Sequence, residues 1–168
     1  MKQLVLSAAI LASIVLPAYA QNTRPLFVIE RNTNTNVVHY DAQLTQEGAL
    51  DPKEPVIAYW IMRANGGHRE ELTPLERRLA YGFTIQSDPS GRGYRMILAG
   101  DKDREIRVSQ KRGKVTAETM IAGHPAALQK LHVNSNENGV LPLVNYIELF
   151  GRDLETGESR YEKLVPKR

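Results

Sequence analysis

The chain has 168 residues, no cysteine, and 22 Lys and Arg against 19 Asp and Glu. Without cysteine it is neither a disulfide-stapled scaffold nor a carrier of a lipid-modified thiol. A balance of charge this even also excludes the concentrated basic face of a nucleic-acid binder.

The first twenty residues, "MKQLVLSAAILASIVLPAYA", place Lys2 before an apolar run over 4–16 and end on Pro17 and the small-residue pattern Ala18-Tyr19-Ala20. That is the form of a secretory signal peptide, with cleavage expected before Gln21. A membrane span needs about 20 apolar residues, and this run is shorter and stops at a helix breaker. No later stretch is longer, so the mature chain is expected to have no transmembrane helix and to be secreted, into the periplasm if the cell is Gram-negative. Residues 21–168 are expected to form one domain, long enough to bury roughly 68–70% of its unfolded surface.

From Leu26 onward, short apolar runs alternate with turn chemistry about every ten residues, which predicts a mainly antiparallel β domain. The runs "LFVIER" and "VVHYDA" flank "NTNTN" and read as a first hairpin, because Asn tolerates left-handed backbone and bonds its own turn. The stretch "PVIAYWIM", 55–62, is apolar on both alternating faces, so it should be covered on both sides. In "LTPLERRLAYG", Thr73 is an N-cap, Pro74 takes the first helical position and Glu76 completes a capping box. Gly82 then reads as a left-handed stop. This helix is too short to stand alone in water, and it is expected to dock on the sheet through Leu75 and Leu79.

The remaining segments "FTIQ", "YRMILA", "REIRVSQ" and "VTAETMIA" read as a meander, with the glycine-bearing loop "SDPSGRG" as a plain turn. The stretch from 124 to 140 suits a strand or a partial helix, ending in an Asn/Gly-rich loop. "VNYIELFGRD" and "RYEKLV" close the chain as a hairpin around Thr156-Gly157. The predicted fold is an antiparallel β-barrel or a two-layer β-sandwich of about eight or nine strands with one short helix packed on it.

Chemistry has few footholds. There is no thiol, no G-x-S-x-G elbow, no phosphate-binding loop and no cofactor motif. His39 and Asp41 stand two apart on a strand, so both side chains leave one face about 7 Å apart. That pair would chelate a metal if a third ligand arrived from another strand, and a small metal-dependent hydrolase is the alternative reading of the chain. The simpler reading makes them the solvent side of a strand whose other side carries Val38, Tyr40 and Ala42. The run 102–114 holds six basic and two acidic residues. It reads as a solvated hairpin, or else as a contact for an anionic surface through Arg104, Arg107, Lys111, Arg112 and Lys114. The aromatic and arginine set Arg31, Tyr40, Tyr59, Trp60, Arg77 and Tyr81 has the make-up of a small-ligand site. Tyr and Trp bring apolar area with a polar handle, and an arginine fork binds carboxylate or phosphate. The same residues would equally fill a core and its rim.

Taken together and in this order, "LFVIERNTNTNVVHYDA", "PVIAYWIM", "LTPLERRLAYGF" and "VNYIELFGRD" followed by "TGESRYEKL" resemble the family catalogued as domain of unknown function 4833, over nearly all of the mature chain. The resemblance implies one small domain. The family name carries no activity, and no catalytic residue follows from it. The functional expectation is a non-enzymatic module of the cell envelope that binds a small molecule or an envelope partner.

Overall fold

The computed structural model describes residues 22–136 and 143–166. The expected leader, 1–20, lies outside them, as does the end of the Asn/Gly-rich loop. Eleven strands follow one another: β1 Thr23–Arg31, β2 Val37–Gln43, β3 Val56–Met62, β4 His68–Glu71, β5 Phe83–Ser87, β6 Tyr94–Leu98, β7 Asp101–Lys111, β8 Lys114–Ile121, β9 His124–Asn136, β10 Leu143–Asp153 and β11 Ser159–Leu164. One short helix stands between β4 and β5. It consists of an α turn, α1, Pro74–Glu76, that runs straight into a π-helical turn, Arg77–Tyr81.

The fold is mainly β, as the alternation predicts, and the first hairpin, the meander β5 to β8 and the closing hairpin are all in place. It is not strictly antiparallel, however. β1 runs parallel to β9, with Val28 to Arg31 opposite Lys130 to Val133. The sheet order is β4-β3-β2-β1-β9-β8-β7-β6-β5, with β10 and β11 added beside β9. The result is a curled mixed sheet, a half-barrel in which the outermost strands β4 and β5 are not paired to each other.

Strand β9 makes this shape. One of its edges pairs with β10 along 126–136. The other is shared, with β8 on 124–127 and β1 on 130–133. Two strands that leave the same edge must diverge, so the arms β1 to β4 and β8 to β5 curl over a common core. The handover falls at a bulge: Leu128 is opposite Gly151 and Lys130 is opposite Phe150, which leaves Gln129 as the extra residue. A bulge inverts the alternation beyond it. Ala126 and Leu128 accordingly face the core before it, and Leu131 after it.

The core fills the concave side: Phe27 and Ile29 from β1, Val38 and Tyr40 from β2, Met96 and Leu98 from β6, Ile106 and Val108 from β7. Tyr40 ties the arms together. Its ring stacks on Phe27 at 4.4 Å and leans on Phe83 of β5 at 6.2 Å. Its hydroxyl donates to the Tyr81 carbonyl at 2.6 Å.

The helix begins as predicted, with a full capping box between Thr73 and Glu76 and Pro74 at its start. It does not dock through its leucines, because Leu75 and Leu79 are 57% and 49% exposed. The π turn accounts for this. Residues five apart, not four, share a side, so Glu76 and Tyr81 both reach Trp60 on β3. Gly82 is likewise no left-handed stop, since its φ is −69°. A side chain there is excluded by proximity, because a Cβ would lie 1.9 Å from the Arg77 carbonyl oxygen.

Gly151 plays the same part at the β9 bulge, where a Cβ would come within 2.6 Å of both the Ala127 carbonyl oxygen and the Ile121 side chain. Gly151→Ala is therefore expected to cost about 1–3 kcal/mol through overpacking, read as a lower urea midpoint. An unchanged midpoint would mean that the bulge yields without strain.

Candidate functional site

The polar loop 32–36 is built by its asparagines. Asn32 donates from Nδ2 to the Ser135 carbonyl at 3.1 Å and accepts the Ser135 N–H on Oδ1 at 2.8 Å, so its amide prolongs the β1–β9 ladder beyond the end of the strand. Asn34 Oδ1 accepts the Asn36 N–H at 3.0 Å, and Asn36 Oδ1 accepts the Ala64 N–H at 3.1 Å. These three side chains are spent on backbone, as the short polar residues of a turn usually are.

Arg31 is different. It continues the inward alternation of Phe27 and Ile29, which brings it to the concave rim of the arm. There its guanidinium lies over Trp60 at 5.1 Å and over Tyr81 at 5.5 Å. Trp60 and Tyr81 meet edge to face at 5.1 Å. The indole N–H donates to Glu76 Oε1 at 3.1 Å, while Glu76 Oε2 accepts the backbone N–H and the hydroxyl of Thr73. The capping carboxylate therefore holds the helix start and the indole at once. Among the described residues no carboxylate pairs with Arg31, and its Nε is shielded from solvent without a partner. The hydroxyl of Thr33, two residues on, is shielded and unpartnered as well. Burial raises the Tyr81 phenol above its ordinary range, with Arg31 acting against the rise.

The other expected site residues are dispersed. Tyr40 is fully buried in the core, and burial pushes its phenol far upward. Arg77 donates to the Leu72 carbonyl and to Glu71, both beside the helix start. Tyr59, adjacent to Trp60 on β3, faces the convex side, because neighbours on a strand alternate. There its hydroxyl donates to Asp41 Oδ2 at 2.6 Å, its ring stacks on His39 at 5.7 Å, and Arg69 covers it at 3.9 Å.

His39 and Asp41 do share the face opposite Val38, Tyr40 and Ala42, but Asp41 is not on the solvent side. It is 5% exposed, and its Oδ1 is buried without a partner. Burial lowers the His39 pKa, nearby Arg63 adds to this, and Asp41 opposes it. Among the described residues no group of three His, Asp or Glu side chains able to hold a metal forms around this pair.

The basic stretch is no single cationic face. Arg104 is engaged by Asp101, Glu162 and the Met120 carbonyl, Arg107 by Asp88, and Lys111 by Glu118. Arg112 and Lys114 flank the exposed tip, where Arg112 takes a left-handed φ of 51°. Asp88 serves its own turn. The Ser90 N–H lowers the carboxyl below its ordinary range, aided by the Ser90 side chain and then by Arg95 and Arg107.

The family model described as "Domain of unknown function (DUF4833)" matches residues 27–163, a span that contains Arg31, Trp60, Glu76 and Tyr81. The chain belongs to this family. No curated protein and no solved structure matches it. In this DUF4833 chain no helix among the described residues is long and apolar enough to cross a membrane. Glu76 is the site residue that sequence reasoning left in a purely structural role, because a capping box already explains a glutamate three residues after Thr73.

Tyr59 supplies a test of the convex face. Burial first, and then its bond to Asp41, raise its phenol from 10.0 to about 12. Between those values the folded chain keeps a proton that the unfolded chain has released, so stability falls as pH rises through that window. Tyr59→Phe should flatten this alkaline decline in denaturant titrations. At neutral pH it should cost about 1–3 kcal/mol by stripping the remaining partner from a buried carboxylate. An unaltered pH dependence would show that Tyr59 titrates freely.

Proposed function

We propose that this DUF4833 domain is a non-enzymatic binding module of the cell envelope, exported by its leader into the periplasm, and that it holds an anionic group at Arg31. The observation that carries the reading is a half-buried guanidinium 5.1 Å from the Trp60 centroid and 5.5 Å from the Tyr81 centroid, with no carboxylate paired to it among the described residues. The other half-buried cations among the described residues, Arg95, Arg104, Lys130 and Arg160, each pair with a carboxylate. Asp88 lies between Arg95 and Arg107, Asp153 meets Arg160 and His124, and Glu30 meets Arg63 and Lys130.

Cation–π contact orients a guanidinium without consuming its N–H donors, so the fork stays free for an outside acceptor. The first twenty residues support export. Catalysis has weaker support, because Asp41, the carboxylate a hydrolase would use, is buried and bonded to Tyr59.

Two measurements test the proposal. N-terminal sequencing of the exported protein should begin at Gln21, and a mature chain that retains the leader would overturn the envelope assignment. Native mass spectrometry of the protein purified from its own envelope should show a retained small anion that Arg31→Ala loses while remaining folded. Retention by the variant would remove Arg31 from the site.

A further inference from the structure

We infer that the group bound at Arg31 is a single carboxylate and not a phosphate, an inference that rests on the anion-binding reading above. Charge is the first argument. The cluster holds one cation, Arg31, with no ion pair among the described residues, and one carboxylate, Glu76, bonded to the Trp60 indole. Of the helix arginines, Arg77 is already occupied by the Leu72 carbonyl and Glu71 and Arg78 is exposed, while Arg63 pairs with Glu30. A monoanion brought to Arg31 leaves the cluster with the single negative charge of Glu76, whereas a phosphate dianion would leave it with two in excess in a half-buried place. Phosphate sites gather several donors or positive charges, and among the described residues Arg31 is the one cation that lies over Trp60 and Tyr81.

Geometry is the second argument. The guanidinium carbon lies 5.1 Å from the Trp60 centroid and 5.5 Å from the Tyr81 centroid, and its fork presents parallel N–H donors that suit the two oxygens of a planar carboxylate. Its Nε is shielded from solvent and unpartnered. The free Thr33 hydroxyl is a third donor close in sequence.

Trp60 is the sole tryptophan of the chain, so its fluorescence reports on this site alone. The purified protein is titrated with benzoate, with acetyl-Ala-Ala as free acid, with the same dipeptide as C-terminal amide, and with inorganic phosphate. At least one acid is expected to give a saturable change, the amide none, and phosphate a response weaker by roughly tenfold or more, since a dianion meets a single cation in a half-buried place. Benzoate as the better acid points to a free small acid, and the dipeptide as the better one points to a peptide terminus. Arg31→Met should abolish the response. Arg31→Lys, which keeps the charge and guards against a folding defect, should weaken it by roughly tenfold. Phosphate binding more tightly than both acids would overturn the carboxylate assignment and leave the anion site standing. An amide response equal to the acid's, or a response unaltered in both Arg31 variants, would overturn the two together.

Discussion

Everything in this fold depends on one strand serving three neighbours. β9 gives a full edge to β10 and divides the opposite edge between β8 and the parallel β1. Backbone donors and acceptors buried in a sheet must be paired, so the division is only workable if the strand rotates between its two clients. The bulge at Gln129 does that, and Gly151 lets β10 follow it closely enough to keep the ladder on the other edge. Curling then follows without further specification, since two twisted arms that share an edge diverge as they extend.

The same arrangement locates the candidate site. β1 leaves β9 after Arg31, and the Asn32 amide holds the departing chain against Ser135. Arg31 is thus the last inward residue of a strand that is braced on both sides. Trp60 comes from β3 of the same arm and Tyr81 from the helix that bridges toward β5, with its carbonyl fixed by Tyr40. The guanidinium is preorganised by elements of the core, which lowers the ordering cost that a flexible arginine meets on binding. On the convex side of the same strands, His39, Asp41 and Tyr59 form a separate polar group that the concave cluster never touches.

Much of this was legible in the residues, and the exceptions have physical causes. Strict alternation in 115–121 gave the strand and its faces, because one side is buried and the other is not, whereas the first hairpin gave its strands but hid that Val37 and Asp41 on the convex side of β2 are buried. The stretch 124–136 resisted assignment between strand and helix because its core positions, Ala126, Leu128 and Leu131, are spaced by two and then three. A bulge inside a strand imitates helical spacing. β4, "HREE", has four exposed residues and no apolar period to detect. The helix was found by its cap but turned the wrong way, since i and i+4 spacing assumes an α turn and a π turn moves the buried side to Tyr81. The same alternation that identified β3 also meant that Tyr59 and Trp60 could not line one pocket. The Arg31 cluster itself joins residues 31, 60, 76 and 81 through tertiary packing, which a single sequence does not encode locally.

The polar run after β1 divides its labour in a way that bears on function. Its asparagines are consumed by backbone, and what is left over is Arg31 Nε and the Thr33 hydroxyl, both shielded and both without a partner. Leaving a buried polar group unsatisfied costs about 1–3 kcal/mol, so each such atom calls for a reason. For Asp88 Oδ2 the reason is at hand, because two guanidinium Nε atoms stand 3.3 and 3.6 Å away and attract it without an aligned bond. Asp41 retains compensation through its other oxygen and Tyr59. Among the described residues Arg31 has the two rings and no hydrogen-bond acceptor, and the attraction of the rings is worth about 0.5–2 kcal/mol. A fold that merely needed to cover Trp60 would be served as well by leucine or methionine at that position, with no charge to desolvate. On the proposed reading, the guanidinium answers to an acceptor that the described residues do not supply and not to a requirement of the core.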